Sequence, residues 1–500
     1  MITENNLILI GKAGDKEICL NPSQLNRHGF IAGASGTGKT VTLKVIAESL
    51  SELGVPTVIA DVKGDLSGMI VPGDEDGIRE RWQSMGIKEY DVKKYPVHFF
   101  DVYQKTGHPI RSVMQEMGPM LLSRIMDLTD AQQGVLNIIF RIAKDMELEI
   151  LDLKDLQAMA IYVGEHAKEY TAKYGNVAKQ SVGAIQRKLL ELETEGGDLF
   201  FGQPALEIED WMVTEKGMGV MNMIECEELF QHPLLYSTFL LWMLNELYEK
   251  LPEVGDLDKP KIVFFFDEAH LLFDSAPKQL LQKIEQTVRL IRSKGVSVFF
   301  ITQNPTDIPN SVLSQLSHRI QHSLRAYTPS EIKNVKVAAD AFRANPDFDT
   351  FEAITALKTG QALVSALDED GAPTIVQKTK ILPPHSSMKI ADSYKVQYAI
   401  ESDSLYGKYE RTLDNQSAYE DLPDIYAAED EMKAKAEEAK QQEKEEAARK
   451  KAEEREAARE AAKKKTWQEQ MARKASNKLQ NELVNMGVRS AKKLLKNLLK

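Results

Sequence analysis

The chain has 500 residues, 43% of them hydrophobic, and a formal net charge of −12, which is ample apolar material for a sizeable core in at least one of about three domains. The acidic balance excludes a protein that coats nucleic acid over a broad surface, although a ring can confine its basic groups to a pore. The opening Met1-Ile2-Thr3-Glu4-Asn5-Asn6 lacks the positive end and apolar core of a secretion signal, and no later segment approaches the roughly 18 apolar residues of a membrane span, so the expected compartment is the cytoplasm.

Two short apolar runs, Leu7-Ile8-Leu9-Ile10 and Ile18-Cys19-Leu20, flank the turn-rich Gly11-Lys12-Ala13-Gly14-Asp15 and suit a β-hairpin within residues 1–30. Phe30-Ile31-Ala32 then ends as a strand at Gly33-Ala34-Ser35-Gly36-Thr37-Gly38-Lys39-Thr40, a complete GxxxxGK(S/T) loop. Its glycines let successive backbone N–H groups face one anion, and the helix beginning near Lys39 points its positive end at the same place. Lys39 is expected to reach the β- and γ-phosphates, and the Thr40 hydroxyl the Mg²⁺ that bridges them. Residues 41–53 have helical spacing and end at Gly54; the β-branched run 55–60 then delivers Asp61-Val62-Lys63-Gly64-Asp65 at its C-terminal end, completing a βαβ unit with polar groups on the ligand side of a sheet. A further strand is expected at 97–102.

From 109 to about 192 the pattern changes to amphipathic helices without a central-strand run, a helical insertion. Strand character returns at 219–224, 261–266, 296–302, 319–325 and 360–367, with helices at 233–251 and 277–293, and this alternation implies an α/β fold with a mostly parallel, doubly wound sheet. Cys19 and Cys226 lack metal-ligand spacing and read as reduced, partly buried thiols. Beyond Pro383-Pro384 loops dominate, and from about 427 to 465 the chain is almost wholly Ala, Glu, Lys, Arg and Gln, which suits a solvated single helix held by ion pairs better than a coiled coil. Residues 471–500 carry eight basic side chains (Arg473, Lys474, Lys478, Arg489, Lys492, Lys493, Lys496, Lys500) against one acid, Glu482. Interleaved with Leu479, Leu483, Val484, Met486, Val488, Leu494, Leu495, Leu498 and Leu499, they make a cationic amphipathic helix suited to a membrane surface, nucleic acid, a partner groove or docking on its own protein.

Hydrolysis of a γ-phosphate needs a metal held by an acid and a water activated by a polar side chain. Ile262-Val263-Phe264-Phe265-Phe266-Asp267-Glu268 supplies both from a buried strand, with Asp267 as the Mg²⁺ partner and Glu268 as the base. The next strand ends in Thr302-Gln303, so Gln303 is expected beside them as a sensor of the γ-phosphate. Arg289 and Arg292 share a helix face, placed either for local salt bridges or for the phosphates of a neighbouring subunit. His270 completes Asp267-Glu268-Ala269-His270, but Ile301-Thr302-Gln303 is not the Ser-Ala-Thr of the RNA helicases named for those letters. Basic residues such as Lys63 and Lys105 suit pore-lining loops and solvated surface charges equally well.

The ordered series His28-Gly29-Phe30-Ile31-Ala32-Gly33, Asp61-Val62-Lys63-Gly64-Asp65, Asp267-Glu268-Ala269-His270, Arg292-Ser293-Lys294-Gly295-Val296 and Thr302-Gln303-Asn304-Pro305 resembles the HerA-like helicase–translocases, related to the FtsK and VirD4 pumps, over residues 7–384. The resemblance implies a RecA-like ATPase core, in two parts at 31–108 and 201–384; the pattern itself sets the insertion at 109–200, a linker at 385–427 and a charged tail at 428–500. It implies ATP and Mg²⁺ bound by Gly33, Ala34, Ser35, Gly36, Thr37, Gly38, Lys39, Thr40 and Asp267, with Thr40 and Asp267 on the metal. It further implies Glu268, Gln303 and the intersubunit Arg292 as catalytic residues, Arg27 as a second such arginine, a homo-oligomer (hexamer) and DNA as the moved polymer. HerA-like enzymes place a β-barrel before the ATPase, whereas 32 residues precede Gly33 here. Against a DNA motor stands a nucleotide-dependent switch or scaffold that binds a protein or membrane partner through the tail, at the inner-membrane periphery; a small-molecule kinase lacks a recognisable acceptor segment.

Overall fold

Runs of β-branched and aromatic residues build a twelve-stranded sheet in the computed structural model, which describes residues 1–274 and 278–497. The strands are β1 (Ile8–Ala13), β2 (Lys16–Leu20), β3 (Gly29–Ala32), β4 (Thr57–Asp61), β5 (Val97–Asp101), β6 (His108–Pro109), β9 (Met221–Glu225), β10 (Ile262–Phe266), β11 (Val296–Thr302), β12 (His318–His322), β13 (Gln361–Ser365) and β14 (Gln377–Ile381); β7 (Thr214–Glu215) and β8 (Met218–Gly219) form a separate ribbon. Their order across the main sheet is β2-β1-β14-β13-β12-β3-β11-β10-β4-β9-β5-β6. From β12 to β6 every neighbour pairs parallel, and β13, β14, β1 and β2 extend the sheet as an antiparallel wing. The hairpin read in residues 1–30 is therefore part of this sheet, joined through β14, a strand whose Lys-rich sequence gives no apolar signal.

Central strands are buried on both faces, as parallel strands covered by helices must be: β3, β4, β10 and β11 have no exposed residue. Stacked rings lock β10 against β11, Phe265 on Phe299 with centroids 5.2 Å apart and Phe266 on Phe300 at 5.6 Å. A slip of one residue would turn every side chain to the other face, so this pairing also fixes where Asp267 and Gln303 leave the sheet. The helix α1 (Lys39–Glu52) is buried on nearly all sides, and two of its charged residues are satisfied from one segment: Glu48 accepts the His385 and Ser386 N–H groups at 2.7 and 3.1 Å, and Lys44 donates to Ser387 O at 2.7 Å.

The insertion folds as helices Met114–Ile125, Asp130–Asp145, Leu153–Glu165, Ala167–Tyr174 and Lys179–Thr194. The stretch 385–427, read as a linker, instead carries the helix Ser393–Ser402 and the fully buried Tyr409, and the final helix, Ala418–Asn497, begins inside it. Contacts divide the chain into residues 1–421 and 422–500. In the second unit Trp467, Leu479, Leu483, Val484 and Met486 are exposed. Pro277, expected within a helix, and Leu498, Leu499 and Lys500 of the basic end lie outside the described residues. Among the described residues no helix is long and apolar enough to cross a membrane.

Candidate active site

Strand β3 ends at the phosphate loop. Gly38 caps α1 at φ +111°, with no side chain bonded to the helix start, so the first N–H groups are left for an external acceptor. Gly33 is required by close approach: a Cβ there would lie 2.4 Å from the Cβ of His322. Behind the loop His322 pairs Nε2 with Thr42 Oγ1 at 2.8 Å, and Ser323 O accepts from Ala34 N at 2.8 Å. Burial lowers the His322 imidazole to about 4, which keeps it neutral. Lys39 is 6% exposed and folds its ammonium onto the carbonyls of Gly33 (2.7 Å) and Ala34 (3.2 Å). Burial pulls this ammonium below the ordinary lysine value, opposed by the charge of Glu268. Beside the loop a cleft of about 680 Å³ is walled by Ser35, Gly36, Thr37, Tyr327, Phe351 and Thr355.

Parallel register brings the acids to the same end. Thr302 pairs with Ala32, Phe266 with Phe300, and Phe266 with Ala60, so Gly33, Gln303, Asp267 and Asp61 all lie at the C-terminal ends of adjacent strands. Asp267 and Glu268 are buried, at 5% and 4% exposure. Asp267 accepts the Glu268 N–H at 2.9 Å, and burial raises its carboxyl in spite of Lys63 nearby. Glu268 adopts φ +47°, which costs about 1–3 kcal/mol in a non-glycine residue and is a feature of functional turns. Its carboxylate accepts Lys63 Nζ at 2.5 Å and Gln303 Nε2 at 3.3 and 3.4 Å, while His270 Nδ1 lies 3.3 Å away without a hydrogen bond. Burial works to raise this carboxyl, but the bond and charge of Lys63, with Lys39 and Gln303, outweigh it and hold Glu268 below the ordinary value. Asp267 and Thr40 supply the hard oxygens that suit Mg²⁺, and among the described residues no cluster of three or more His, Cys, Asp or Glu offers a second metal site.

Lys63 is the residue that sequence alone left among solvated charges. Asp61 shapes its loop, accepting the Lys63 and Leu66 N–H groups at 3.2 and 3.0 Å, and burial raises the Asp61 carboxyl to about 7. The available signal was adjacency: a lysine two residues beyond β4 stands beside whatever follows β10. Lys105, by contrast, pairs with Glu228 on the surface.

Arg292 and Arg27 are not brought to this end. They precede β11 and β3, and the seven residues of β11 span about 20 Å. Arg292 is half-exposed and pairs at 3.6 Å with the exposed Asp256, while Arg27 donates to Gly371 O at 3.4 Å. Arg289, on the helix Lys278–Leu290, is exposed at the same end.

A match to the family described as Helicase HerA-like C-terminal runs over residues 6–499. The chain belongs to this HerA-like family. Its HerA-like sequence is 22% identical over 367 residues to the DNA double-strand break repair helicase HerA of Sulfolobus acidocaldarius, covering 71% of this chain and 65% of that protein. The protein of the same name from Saccharolobus solfataricus is 22% identical over 363 residues, covering 71% and 64%. The HerA-like chain thus spans less than two thirds of the length of either relative. Among solved structures, the plasmid coupling protein TrwB in complex with the non-hydrolysable GTP analogue GDPNP superposes with a TM-score of 0.50 at 14% identity, covering 77% of this chain and 90% of that one. The likeness is one of fold: a RecA-like P-loop core.

Proposed function

We propose that this HerA-like chain is an ATP-hydrolysing motor that acts on DNA as a ring, with the nucleotide held between subunits. The observation that carries this reading is the shared sheet end: a buried Lys39 in the phosphate loop feels the charge of Glu268, the acid best placed to act as base. The N–H groups of residues 33–40 and Lys39 hold the β- and γ-phosphates, the adjoining cleft takes the rest of the nucleotide, and Thr40 and Asp267 hold Mg²⁺. Bound there, Mg²⁺ neutralises the charge that builds on the terminal phosphates. Glu268 takes a proton from the attacking water while the water oxygen bonds to the γ-phosphorus and the bond to the bridging oxygen breaks, releasing ADP and phosphate. Gln303, bonded to Glu268, reports the change, and Arg292 of one subunit reaches the phosphates of the next. The printed names of the relatives, a DNA break-repair helicase and a coupling protein solved with a nucleotide analogue, support DNA and nucleotide as ligands. Phosphate release measured with and without DNA tests this reading; equal rates in monomeric and oligomeric fractions, whatever DNA is added, would remove the motor.

The exposed apolar residues of the basic tail, Leu479 at 63%, Leu483 at 57% and Met486 at 61%, favour a second role in which the tail holds a protein or anionic membrane surface while the ATPase core stays in the cytoplasm. Deleting 428–500 separates the two: a motor keeps its hydrolysis, and a tether loses its partner or vesicle binding.

A further inference from the structure

Glu268 is oriented for a base yet tied down. One carboxylate oxygen is held by Lys63 Nζ at 2.5 Å and Gln303 Nε2 at 3.3 Å; the other accepts Gln303 Nε2 at 3.4 Å. An oxygen bonded to an ammonium at that distance has one of its lone-pair directions taken and its carboxylate held in place, so it is less free to turn to an attacking water. The lysine is built to let go. Its backbone is pinned, because Asp61 accepts the N–H groups of Lys63 and Leu66, and Gly64 turns the loop at φ +64°. Its side chain is 41% exposed, whereas those of its partners Asp267, 3.8 Å away, and Glu268 are 7% and 5% exposed. A half-exposed lysine regains water when it swings out, which offsets part of the cost of unpairing the buried carboxylate, and Gln303 stays bonded to it. Other anions around the loop, Asp65 and Asp267, attract the same ammonium, and it exchanges one anionic partner for another.

We infer that Lys63 restrains Glu268, and that a backbone phosphate of the bound DNA strand draws the ammonium away and frees the base, coupling hydrolysis to the polymer. This deepens the motor reading and rests on it. Lys63 is a positioning residue: it acts through Glu268.

The test compares wild type, Lys63→Met, Lys63→Arg and the double variant Lys63→Met/Glu268→Gln in ATP turnover with and without duplex DNA, alongside titration of a fluorescent ATP analogue. For Lys63→Met, turnover without DNA should rise about tenfold, part of the roughly 10²–10⁴-fold that a freed general base contributes, and DNA should add little. Analogue affinity should stay within about twofold of wild type, because Lys63 is not a ligand of the loop phosphates. Lys63→Arg keeps a cation in reach and should restore both the low basal rate and the stimulation. The double variant should show no gain, since the gain runs through Glu268. Lower turnover in Lys63→Met with and without DNA, unchanged stimulation, or a large loss of analogue affinity each overturns the restraint while leaving the motor reading intact. A wild type that hydrolyses no ATP overturns both.

Discussion

Replacing Glu268 by Gln removes the proposed base while changing almost nothing in shape, and the surroundings say how the protein will take it. Glu268 now accepts from Lys63 at 2.5 Å and from Gln303 at 3.3 and 3.4 Å. An amide can turn its oxygen to Lys63 and its NH₂ toward Gln303, whose own amide can flip to accept, so each donor keeps a partner. Lys63 loses its charged partner but is half-exposed and rehydrates, so the fold and the phosphate loop should remain intact. What disappears is proton acceptance, worth about 10²–10⁴-fold in rate, or roughly 3–5.5 kcal/mol of barrier. The assay is phosphate release under single-turnover conditions beside equilibrium binding of a labelled ATP. Nucleotide affinity near that of wild type with hydrolysis down by that factor is the expected result. Turnover within a factor of about three of wild type would refute the assignment of Glu268, and a parallel loss of binding would refute the claim that it is not a phosphate ligand.

Lys39→Ala should cost nucleotide affinity about 1.5–3 kcal/mol, the worth of a hydrogen bond to a charged group, read by the same titration; full affinity would place the phosphates elsewhere. Arg292→Ala breaks only an exposed pair with Asp256, so melting should be unchanged while turnover falls about 10³-fold. Mixing it with Lys39→Ala should restore part of the activity through hybrid interfaces, and no restoration would deny a trans role. His108 is buried between Asp403 at 2.6 Å and Glu410 at 2.5 Å. Burial opposes its charge, but hydrogen bonds to both carboxylates outweigh that and raise the imidazole above its ordinary value. Its stabilisation is therefore complete below about pH 6.5 and fades as pH rises through the raised value. Amide exchange across 403–413, corrected for intrinsic rates, should lose protection on that rise, and His108→Gln should flatten the dependence; a flat wild-type profile would sink it.

The four central strands were legible because each is a largely apolar run that leads into a residue with chemistry: Ala32 before the glycine loop, Ala60 before Asp61, Phe266 before Asp267, Thr302 before Gln303. Burial on both faces writes such strands plainly. The antiparallel wing was not legible in the same way, because Gln377–Ile381 reads Gln-Lys-Thr-Lys-Ile with only its second residue exposed, and it is a strand only because β1 and β13 flank it. Tertiary pairing overrode composition there. The stretch after Pro384 looked like a linker for a related reason: its anchors are polar, Ser386 on Glu48 and Tyr409 under Arg111, whose Nη1 donates to the Tyr409 carbonyl at 2.7 Å, and polar anchoring leaves no apolar period. His322 and Lys63 escaped because their roles lie in strands brought together by register, and a linear motif does not state which strand ends are neighbours.

On the proposed reading, that register would leave one subunit an incomplete hydrolytic unit. The residues proposed to bind phosphate or activate water stand at the C-terminal ends of β3, β10, β11 and β4, whereas Arg27 and Arg292 stand where β3 and β11 begin. A rigid, doubly buried sheet about 20 Å deep separates the two sets, and its stacked phenylalanines leave no side chain room to cross. An arginine tethered at the far end cannot be recruited by bending the domain. It meets a phosphate only if a second copy presents its C-terminal end to the first copy's N-terminal end, a head-to-tail contact that closes as a ring or runs on as a filament. Closure would place one nucleotide at each interface and make hydrolysis depend on neighbours, so the same geometry that divides the proposed site within a chain would join the chains of an assembly in sequence.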